Sequence, residues 1–276
     1  MTRASELLDS AWLSGLRQQL DQPPAHPRAP LWLAPAGGHA AALVGSIVPE
    51  LAARLAAAGL PFRDRVGHWR VEPASLAVAD ATLAAVARWL HANGCAASWR
   101  DELLPVTDAS GAPAGAIERA AMRPLGIATH AVHLVGFDER GDVWVQQRAF
   151  DKATDPCLWD TLMGGLASAR ESIAQTLARE TWEEAGLRVD DLRGVQSFGR
   201  MTVRRPVAEG YMVEHIDMFE AIVPNGMLPV NQDGEVERFE CLTLATLVER
   251  MHADACTPEA AMILATWLMQ RAEARS

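Results

Sequence analysis

GLASARESIAQTLARETWEEAGL, residues 165–187, combines a helical pattern with a dense group of acidic side chains. On a helix, Glu180, Glu183 and Glu184 occupy positions i, i+3 and i+4, so their three carboxylates share one face. Like charges at this spacing repel each other and lower the stability of the helix. We therefore expect a hard divalent cation, which prefers carboxylate oxygens as ligands, to offset the repulsion.

The remainder of the segment has the features of a helix that packs against a sheet. Gly164 and Gly165 permit a tight backbone turn before the helix, and Gly186 occupies the position of a C-terminal capping glycine. The face opposite the carboxylates is expected to contact the sheet. That face carries small or apolar side chains together with one threonine: Ile173, Ala174, Leu177, Ala178 and Thr181.

This segment resembles the Nudix box, written G-x5-E-x7-R-E-U-x-E-E-x-G-U, where U is a bulky apolar residue. The chain matches all seven fixed positions of the pattern: Gly165, Glu171, Arg179, Glu180, Glu183, Glu184 and Gly186. Thr181 replaces the first apolar residue, a change that affects packing, and Leu187 fills the second. The resemblance implies an α+β fold, an α-β-α sandwich in which a mixed sheet lies between helices.

The resemblance also implies a metal-dependent hydrolase that cleaves a pyrophosphate bond in a small organic diphosphate. Glu180, Glu183 and Glu184 would bind Mg²⁺ or Mn²⁺. Arg179 would orient these carboxylates by ion pairing, and Glu171 would support the site from the loop. Such cations neutralise phosphate charge and lower the pKa of an attacking water. Phosphoryl transfer otherwise requires mainly positioning and electrostatic stabilisation from the protein.

A second acidic segment, DGEVERFE at residues 233–240, follows a loop rich in proline, asparagine and glycine. Glu235 and Glu237 alternate with Val236, so both carboxylates would point the same way if a strand begins here. In Nudix enzymes the general base or an additional metal ligand often comes from a carboxylate outside the box. We assign such a role to Glu235 or Glu237, with an ordinary acidic turn as the alternative.

Residues near the box are candidates for binding the substrate. Arg148 and Lys152 lie between a predicted hairpin and the box, where cations could meet a diphosphate. Gly164 and Gly165 would let the backbone approach it, and Trp159 would contact its ring. Aromatic contacts to a heteroaromatic ring system are expected from residues on either side of the box: Phe150, Trp159 and Tyr211.

Segments outside the box resemble one branch of the Nudix family, found fused to thiamine pyrophosphokinase or beside an uncharacterised N-terminal accessory domain. These segments are residues 118–137, 151–172 and 229–244. The resemblance implies a substrate related to thiamine diphosphate or a damaged form of it. The alternative within the family is a hydrolase of nucleoside diphosphate derivatives such as ADP-ribose or a nucleotide sugar.

Two further alternatives share the Nudix scaffold. An isopentenyl diphosphate isomerase would need a catalytic cysteine, and DTLMGG at residues 160–165 offers none. A non-catalytic ligand sensor usually lacks some of the box glutamates, and none is lost here. Both alternatives are therefore ranked below a hydrolase.

We predict two domains with a boundary near residue 120. The N-terminal α+β accessory domain is expected to span residues 1–120, and the Nudix hydrolase domain residues 121–276. Periodicity and turn signals in the first predict helices at 6–21, 49–58 and 76–92, strands at 40–47 and 68–71, and loops at 22–30 and 108–118. In the second they predict a hairpin from 130–137 and 142–147, strands at 195–200 and 213–223, and two C-terminal helices.

Composition restricts the partners of the chain. Its 25 lysines and arginines against 35 acidic residues give a formal charge of −10, so neither nucleic acid nor an anionic membrane is expected as a partner. Four dispersed cysteines and the absence of a signal-peptide or membrane-spanning pattern predict a cytoplasmic protein. The expected partner is a small-molecule diphosphate, and the sequence leaves the oligomeric state open.

Overall fold

The strands of this protein form a four-stranded, a seven-stranded and a two-stranded sheet in the part of the chain that the structure describes. The structure, a computed structural model, describes residues 8–37, 40–152 and 154–274. Within these ranges, no helix combines the length and the hydropathy that a membrane crossing requires. The predicted first helix begins at residue 6, so its first two residues lie outside the described ranges.

In the described residues up to Glu118, the chain contains three α-helices and the strands of two sheets. Its elements are α1 Ser10–Leu20, β1 Ala29–Leu33, β2 Ala42–Ile47, α2 Pro49–Ala57, β3 Phe62–Arg65, β4 His68–Val71, α3 Ala79–Ala92, β5 Leu103–Thr107 and β6 Pro113–Glu118. The four-stranded sheet has the order β2-β1-β4-β3. On α3, apolar side chains at helical spacing, including Leu83 and Leu90, are buried in the same core as Leu31 of β1.

Two segments of this region differ from the sequence prediction. Residues 108–118 were expected to form a loop, but β6 pairs with β5 in a hairpin whose turn is closed by Asp108 Oδ1, which accepts from the backbone of Ser110 and Ala112. The small residues of β6, Ala114, Gly115 and Ala116, do not show the alternation of apolar and polar side chains that predicts a strand. The strand forms because it pairs with β5 and because Ile117 is buried. Similarly, β1 begins inside the proline-rich connector predicted at 22–30.

The second region is built around the seven-stranded sheet. Its elements are β7 Thr129–Phe137, β8 Val143–Arg148, β9 Trp159–Asp160, β10 Met163–Leu166, α4 Ile173–Ala185, β11 Arg193–Val207, β12 Gly210–Ile222, β13 Val236–Leu242, α5 Leu244–His252 and α6 Pro258–Glu273. The strand order is β11-β12-β7-β8-β13, with β10 paired to β7 and β9 to β8. Because β7 and β12 are parallel and the other neighbours antiparallel, the sheet is mixed.

The central strand β7 shows that this sheet lies between helices. Ala131 and Val135 pack into one core, which also holds side chains of α1, α5 and α6. Val132 and Leu134, on the opposite face of the strand, pack into a second core with Leu177 of α4. The predicted α-β-α sandwich with a mixed sheet is therefore confirmed.

The packing of α1 differs from the predicted division of the chain. Leu13, Leu16 and Leu20 of α1 belong to the core that contains α6 of the second region. The core of the four-stranded sheet instead gathers buried residues from Leu31 to Ile127. The apolar face of α1 thus contacts the second region. The predicted domains 1–120 and 121–276 stay a proposal.

Candidate active site

The acidic segment forms α4, whose two ends are fixed by local hydrogen bonds. Ser172 and Gln175 form a capping box, in which each side chain accepts from the backbone N–H of the other residue. Gly186 ends the helix in the left-handed region at φ +62°, as predicted from the sequence. The departure at Thr181 is accommodated because its hydroxyl donates to the carbonyl oxygen of Leu177 at 2.6 Å.

Arg179 connects the acidic side chains of the segment to one another. Its Nε and Nη2 atoms donate to the two carboxylate oxygens of Glu171 at 2.8 and 2.9 Å. Its Nη1 atom donates to Glu180 and to Glu183, at 2.8 Å each. Hydrogen bonding to Glu171 raises the pKa of Arg179, and the guanidinium in turn lowers the pKa of Glu171. A fifth contact, from Nη2 to the Leu166 carbonyl at 3.1 Å, ties Arg179 to β10.

Two of the three box carboxylates are buried. Glu184 is 3% exposed and accepts from the Gly164 backbone at 2.9 Å and from Gln146 Nε2 at 2.8 Å. Burial raises its pKa to about 8. Burial also raises the pKa of Glu180 to about 7, although Arg179 acts in the opposite direction. Desolvation therefore disfavours both carboxylate charges, so a cation close to them would lower the free energy of the charged site.

The glycine pair before the helix is required by close approaches. A Cβ atom on Gly165 would overlap the carboxyl group of Glu180, and one on Gly164 would overlap the ring of His133. His133 is buried and its Nδ1 lies 2.9 Å from the Thr161 hydroxyl. The two glycines thus let β10 pass directly beside the acidic face of α4, a consequence of their lacking side chains.

The chemistry of these side chains fits a divalent cation. Carboxylate oxygens of Glu180, Glu183 and Glu184 are the ligand type that Mg²⁺ and Mn²⁺ prefer. No three acidic, histidine or cysteine side chains of the described residues already form a metal-binding group. Arg179 Nη1 lies between Glu180 and Glu183 and must yield to a cation, while its bonds to Glu171 can hold the guanidinium nearby.

A cavity of about 470 Å³ opens beside the acidic face of α4. Among its lining residues are Glu180, Glu183 and Glu184, and both regions of the chain contribute to its walls. Eleven acidic side chains and seven arginine or lysine side chains line it, so the cavity suits a substrate with cationic character better than a polyanion. The cavity therefore places a large, mainly polar space next to the candidate cation site.

Most of the residues predicted to bind substrate line this cavity. Arg148, Lys152, Gly164 and Gly165 are among them, and so is Glu235. Lys152 forms an ion pair with Glu235, which is 53% exposed in its side chain. The structure thus brings the second acidic segment to the site through Glu235.

Glu237 and the predicted aromatic contacts are not at the cavity. Strand β13 begins at Val236, and a register shift between Val236 and Arg238 interrupts the alternation that predicted Glu235 and Glu237 to point together. Glu237 is exposed elsewhere on the surface. Trp159 is 7% exposed, and its ring packs in the core with the guanidinium of Arg250 4.0 Å from its centroid.

The other two aromatic candidates are also corrected. Phe150 is 61% exposed without lining the cavity. Tyr211 donates its hydroxyl to the Gln22 carbonyl at 2.8 Å, with Arg28 over its ring, so it joins α1 to the sheet region. Among the described lining residues, His133 has the one aromatic ring.

Among the cavity residues that the sequence analysis did not single out are His133, Asp160 and Glu259. Asp160 is buried and lies 3.3 Å from Arg148 and 3.5 Å from His133. Glu259 pairs with Arg205 at 3.0 Å, and burial raises its pKa to about 7. No local signal marks Glu259, because it occupies the first turn of α6, where an acidic residue is common for helix stability alone.

Comparisons with known proteins agree with this architecture. Residues 128–262 match the family model of the NUDIX domain. Nudix hydrolase 24, a chloroplastic protein of Arabidopsis thaliana, is 30% identical over 179 residues, which cover 59% of this chain and 46% of that protein. An isopentenyl-diphosphate Delta-isomerase of Jannaschia sp. (strain CCS1) is 34% identical over 125 residues, covering 41% of this chain and 63% of that protein. The crystal structure of DR0079 from Deinococcus radiodurans gives a TM-score of 0.47 at 19% identity, covering 59% of this chain and 97% of that one.

An acidic helix bordering a mixed sheet, with both faces of the sheet covered by helices, defines a class of α-β-α domain with a candidate cation site. Residues 128–262, which match the NUDIX domain model, contain this helix and every strand of this sheet. The chain spans about half the length of the first curated relatives it matches, with coverages of 46%, 46% and 54% of those proteins.

Proposed function

We propose that this protein is a divalent-cation-dependent hydrolase of a pyrophosphate bond in a small organic diphosphate. The observation that carries the proposal is the convergence of Glu180, Glu183 and Glu184 beside Gly165 at the wall of the cavity. Three carboxylates on a wall that a substrate can reach provide ligands for a hard cation. The four other fixed positions of the box support the same residues by hydrogen bonds, close backbone approach or helix capping.

Each residue of the box has a role that follows from its contacts. Glu180, Glu183 and Glu184 hold Mg²⁺ or Mn²⁺, which when bound neutralises phosphate charge and lowers the pKa of water. Arg179 remains anchored to Glu171 and positions the neighbouring carboxylates. Helix α4 and the loop before it thereby supply the positioning and the electrostatic stabilisation that phosphoryl transfer needs.

Glu235 is proposed as the general base. It lines the cavity, unlike Glu237, and its charge contributes to the raised pKa of Glu180, which places it within electrostatic reach of the box. Lys152 forms an ion pair with it. A carboxylate that is charged and accessible from the cavity can accept a proton from the attacking water.

The proposed substrate is thiamine diphosphate or a damaged form of it. Support comes from the resemblance of the segments around the box to the branch associated with thiamine pyrophosphokinase. The excess of acidic side chains in the cavity also suits a cationic ring. ADP-ribose and nucleotide sugars are the competing class, and crystal structures of other Nudix proteins with low identity to this chain include an ADP-ribose complex.

An isomerase activity is a weaker candidate, although isopentenyl-diphosphate Delta-isomerases are among the relatives. An isopentenyl diphosphate isomerase would need a catalytic cysteine at the site. The cavity is lined by no cysteine of the described chain, and Met163 precedes the glycine pair. Cys157, exposed in the loop before β9, lies outside the lining.

Steady-state assays on purified protein test the proposal. We expect thiamine diphosphate, or its oxidised and antimetabolite relatives, to yield a monophosphate and inorganic phosphate only with Mg²⁺ or Mn²⁺ present. The value of kcat/KM for these compounds is compared with that for ADP-ribose and a nucleotide sugar, since this ratio measures differential binding of the transition states. Full turnover in excess EDTA would refute the mechanism, and a preference of about tenfold or more for the nucleotide class would refute the thiamine assignment.

A further inference from the structure

One wall of the cavity comes from the first region of the chain, outside the NUDIX match. Residues from the segment 97–102, which joins α3 to β5, line the same cavity as the box glutamates, and Arg100 and Glu102 are among them. Arg119 and Arg123, which follow β6, also line it. The first region therefore completes the space in which a substrate would lie.

The segment 97–102 is held in a fixed conformation by a buried carboxylate. Glu118 is 3% exposed, and its two oxygens accept from the backbone N–H groups of Arg100 at 2.9 Å and Glu102 at 3.1 Å. Between them, Asp101 has a positive φ of 57°, and its carboxylate accepts from Trp99 Nε1 at 2.6 Å. A non-glycine residue in this conformation is held there by its surroundings, and here these three hydrogen bonds orient the segment.

The same segment lies beside the acidic helix. The carbonyl oxygen of Leu103, next in the chain, accepts from Ala169 in the loop between Gly165 and α4. Leu166, three residues earlier and at the end of β10, accepts at its carbonyl from Arg179. The chain from Leu166 to Ala169 therefore connects the start of β5 to the guanidinium that contacts Glu180 and Glu183.

Arg100 differs from the other cations of the cavity wall. Arg119 pairs with Glu102 at 2.8 Å, and Arg123 pairs with Glu209 at 3.4 Å. The remaining cations of the lining also have acidic partners: Arg148, Lys152, Arg179 and Arg205. Arg100 is exposed and forms no ion pair with any described residue, so its guanidinium is available to an anionic ligand.

We propose that Arg100, on the segment fixed by Glu118, binds a phosphate group of the substrate. This is the phosphate group that would not be bound through the cation at the glutamates of α4. This inference rests on the proposed function and adds a specificity residue from outside the NUDIX match. A guanidinium can bind a phosphate through two parallel hydrogen bonds, which lysine cannot reproduce. The first region of the chain thus takes part in substrate binding.

Titration calorimetry with imidodiphosphate and Mg²⁺ tests this inference without turnover, because the P–N–P bridge of the probe resists hydrolysis. Arg100→Ala is expected to weaken binding about tenfold, and Arg100→Lys to restore part of the affinity. Arg88→Ala serves as the matched control, since Arg88 is an exposed arginine of α3 outside the cavity lining. It removes the same charge and is expected to bind the probe as the unaltered protein does.

A kinetic measurement on a substrate that the protein hydrolyses gives a second readout. Arg100→Ala should raise KM with kcat nearly unchanged if the contact is equal in the ground and transition states. No binding of imidodiphosphate by the unaltered protein, or an Arg100→Ala affinity within twofold of it, would overturn the inference. Arg100-dependent binding in a protein that hydrolyses no diphosphate would instead reject the proposed function and leave the inference standing.

Discussion

At the level of single residues, the site holds carboxylates in two different environments. Glu184 is buried and receives hydrogen bonds from β8 and β10, whereas Glu183 is partly exposed and contacts Arg179. A buried carboxylate with a raised pKa is poorly suited to remain charged alone. Both carboxylates would serve as ligands of a cation, which would offset the cost of charging the buried Glu184.

Removal of either carboxylate is therefore predicted to impair catalysis more than folding. Glu183→Gln and Glu184→Gln should each lower kcat by roughly 100-fold or more, because each removes negative charge that holds the cation during the reaction. Glu249→Gln, an exposed position of α5 away from the cavity, is the matched control and should leave kcat unchanged. Steady-state kinetics with saturating Mg²⁺ measure the effect, and a loss under fivefold in both box variants would contradict the prediction.

Glu235 and Glu237 offer a matched pair, since they differ by two positions and the same substitution applies to both. Glu235→Gln should lower kcat far more than it changes KM, because a base acts in the transition state. Glu237→Gln should behave like the unaltered enzyme, since Glu237 lies outside the cavity. A near-normal kcat in Glu235→Gln would place the base elsewhere, with Glu209 and Glu214 of the cavity wall next to be substituted.

At the level of elements, α4 carries a predicted dependence of stability on pH. Without a cation, the pKa values of Glu184 and Glu180 are raised to about 8 and about 7, above the ordinary value of 4.5. Between pH 4.5 and these raised pKa values, the folded protein retains protons on Glu180 and Glu184 that the unfolded chain has released. Their stabilising contribution is complete below pH 4.5, and the free energy of unfolding falls as the pH rises through 7 to 8.

Urea unfolding in EDTA between pH 5 and pH 8 measures this dependence. The fall should be smaller in Glu184→Gln and unchanged in the Glu249→Gln control. Mg²⁺ at a hundred times its dissociation constant should add about 2.7 kcal/mol. That stabilisation should be larger at pH 8 than at pH 5, where protons compete with the cation for the carboxylates. A free energy of unfolding that rises with pH in EDTA would show that the carboxylates are charged without a cation.

The elements also show what could be predicted from the sequence. Helix α4 was predictable because its cap residues, periodicity and charges are all local, whereas its glycine pair was expected to form a tight turn and instead lies in β10. Strand β6 was missed because its small residues acquire strand structure from pairing with β5. Trp159 was misplaced for a related reason, since its distance from the box in sequence says nothing of which face of β9 it occupies. Glu259 and Arg100 reach the cavity only through tertiary packing.

At the level of the whole molecule, α1 is the first described helix, and it packs in the core of the second region. Helix α1 packs against α6 and β11. The next strands, β1 to β4, form the four-stranded sheet, and the seven-stranded sheet starts with β7. Tyr211 and Arg204 both bond to the backbone of Gln22, which fixes the exit from α1. A single cut near residue 120 would therefore separate α1 from the core that also holds α6.

Because α1 packs against α6, a substitution in α1 is expected to destabilise the second region. Leu16→Ala deletes a side chain that is 7% exposed and should lower the free energy of unfolding by about 2–4 kcal/mol. Leu76→Ala, at a position 52% exposed, is the matched control and should cost less than about 0.5 kcal/mol. Amide hydrogen exchange locates the effect: Leu16→Ala should accelerate exchange in Pro258–Glu273, the helix that α1 covers, more than in Ala79–Ala92 of the other core. Faster exchange confined to Ala79–Ala92 would mean that α1 stabilises the first region instead, and the division of the chain at residue 120 would then stand as first predicted.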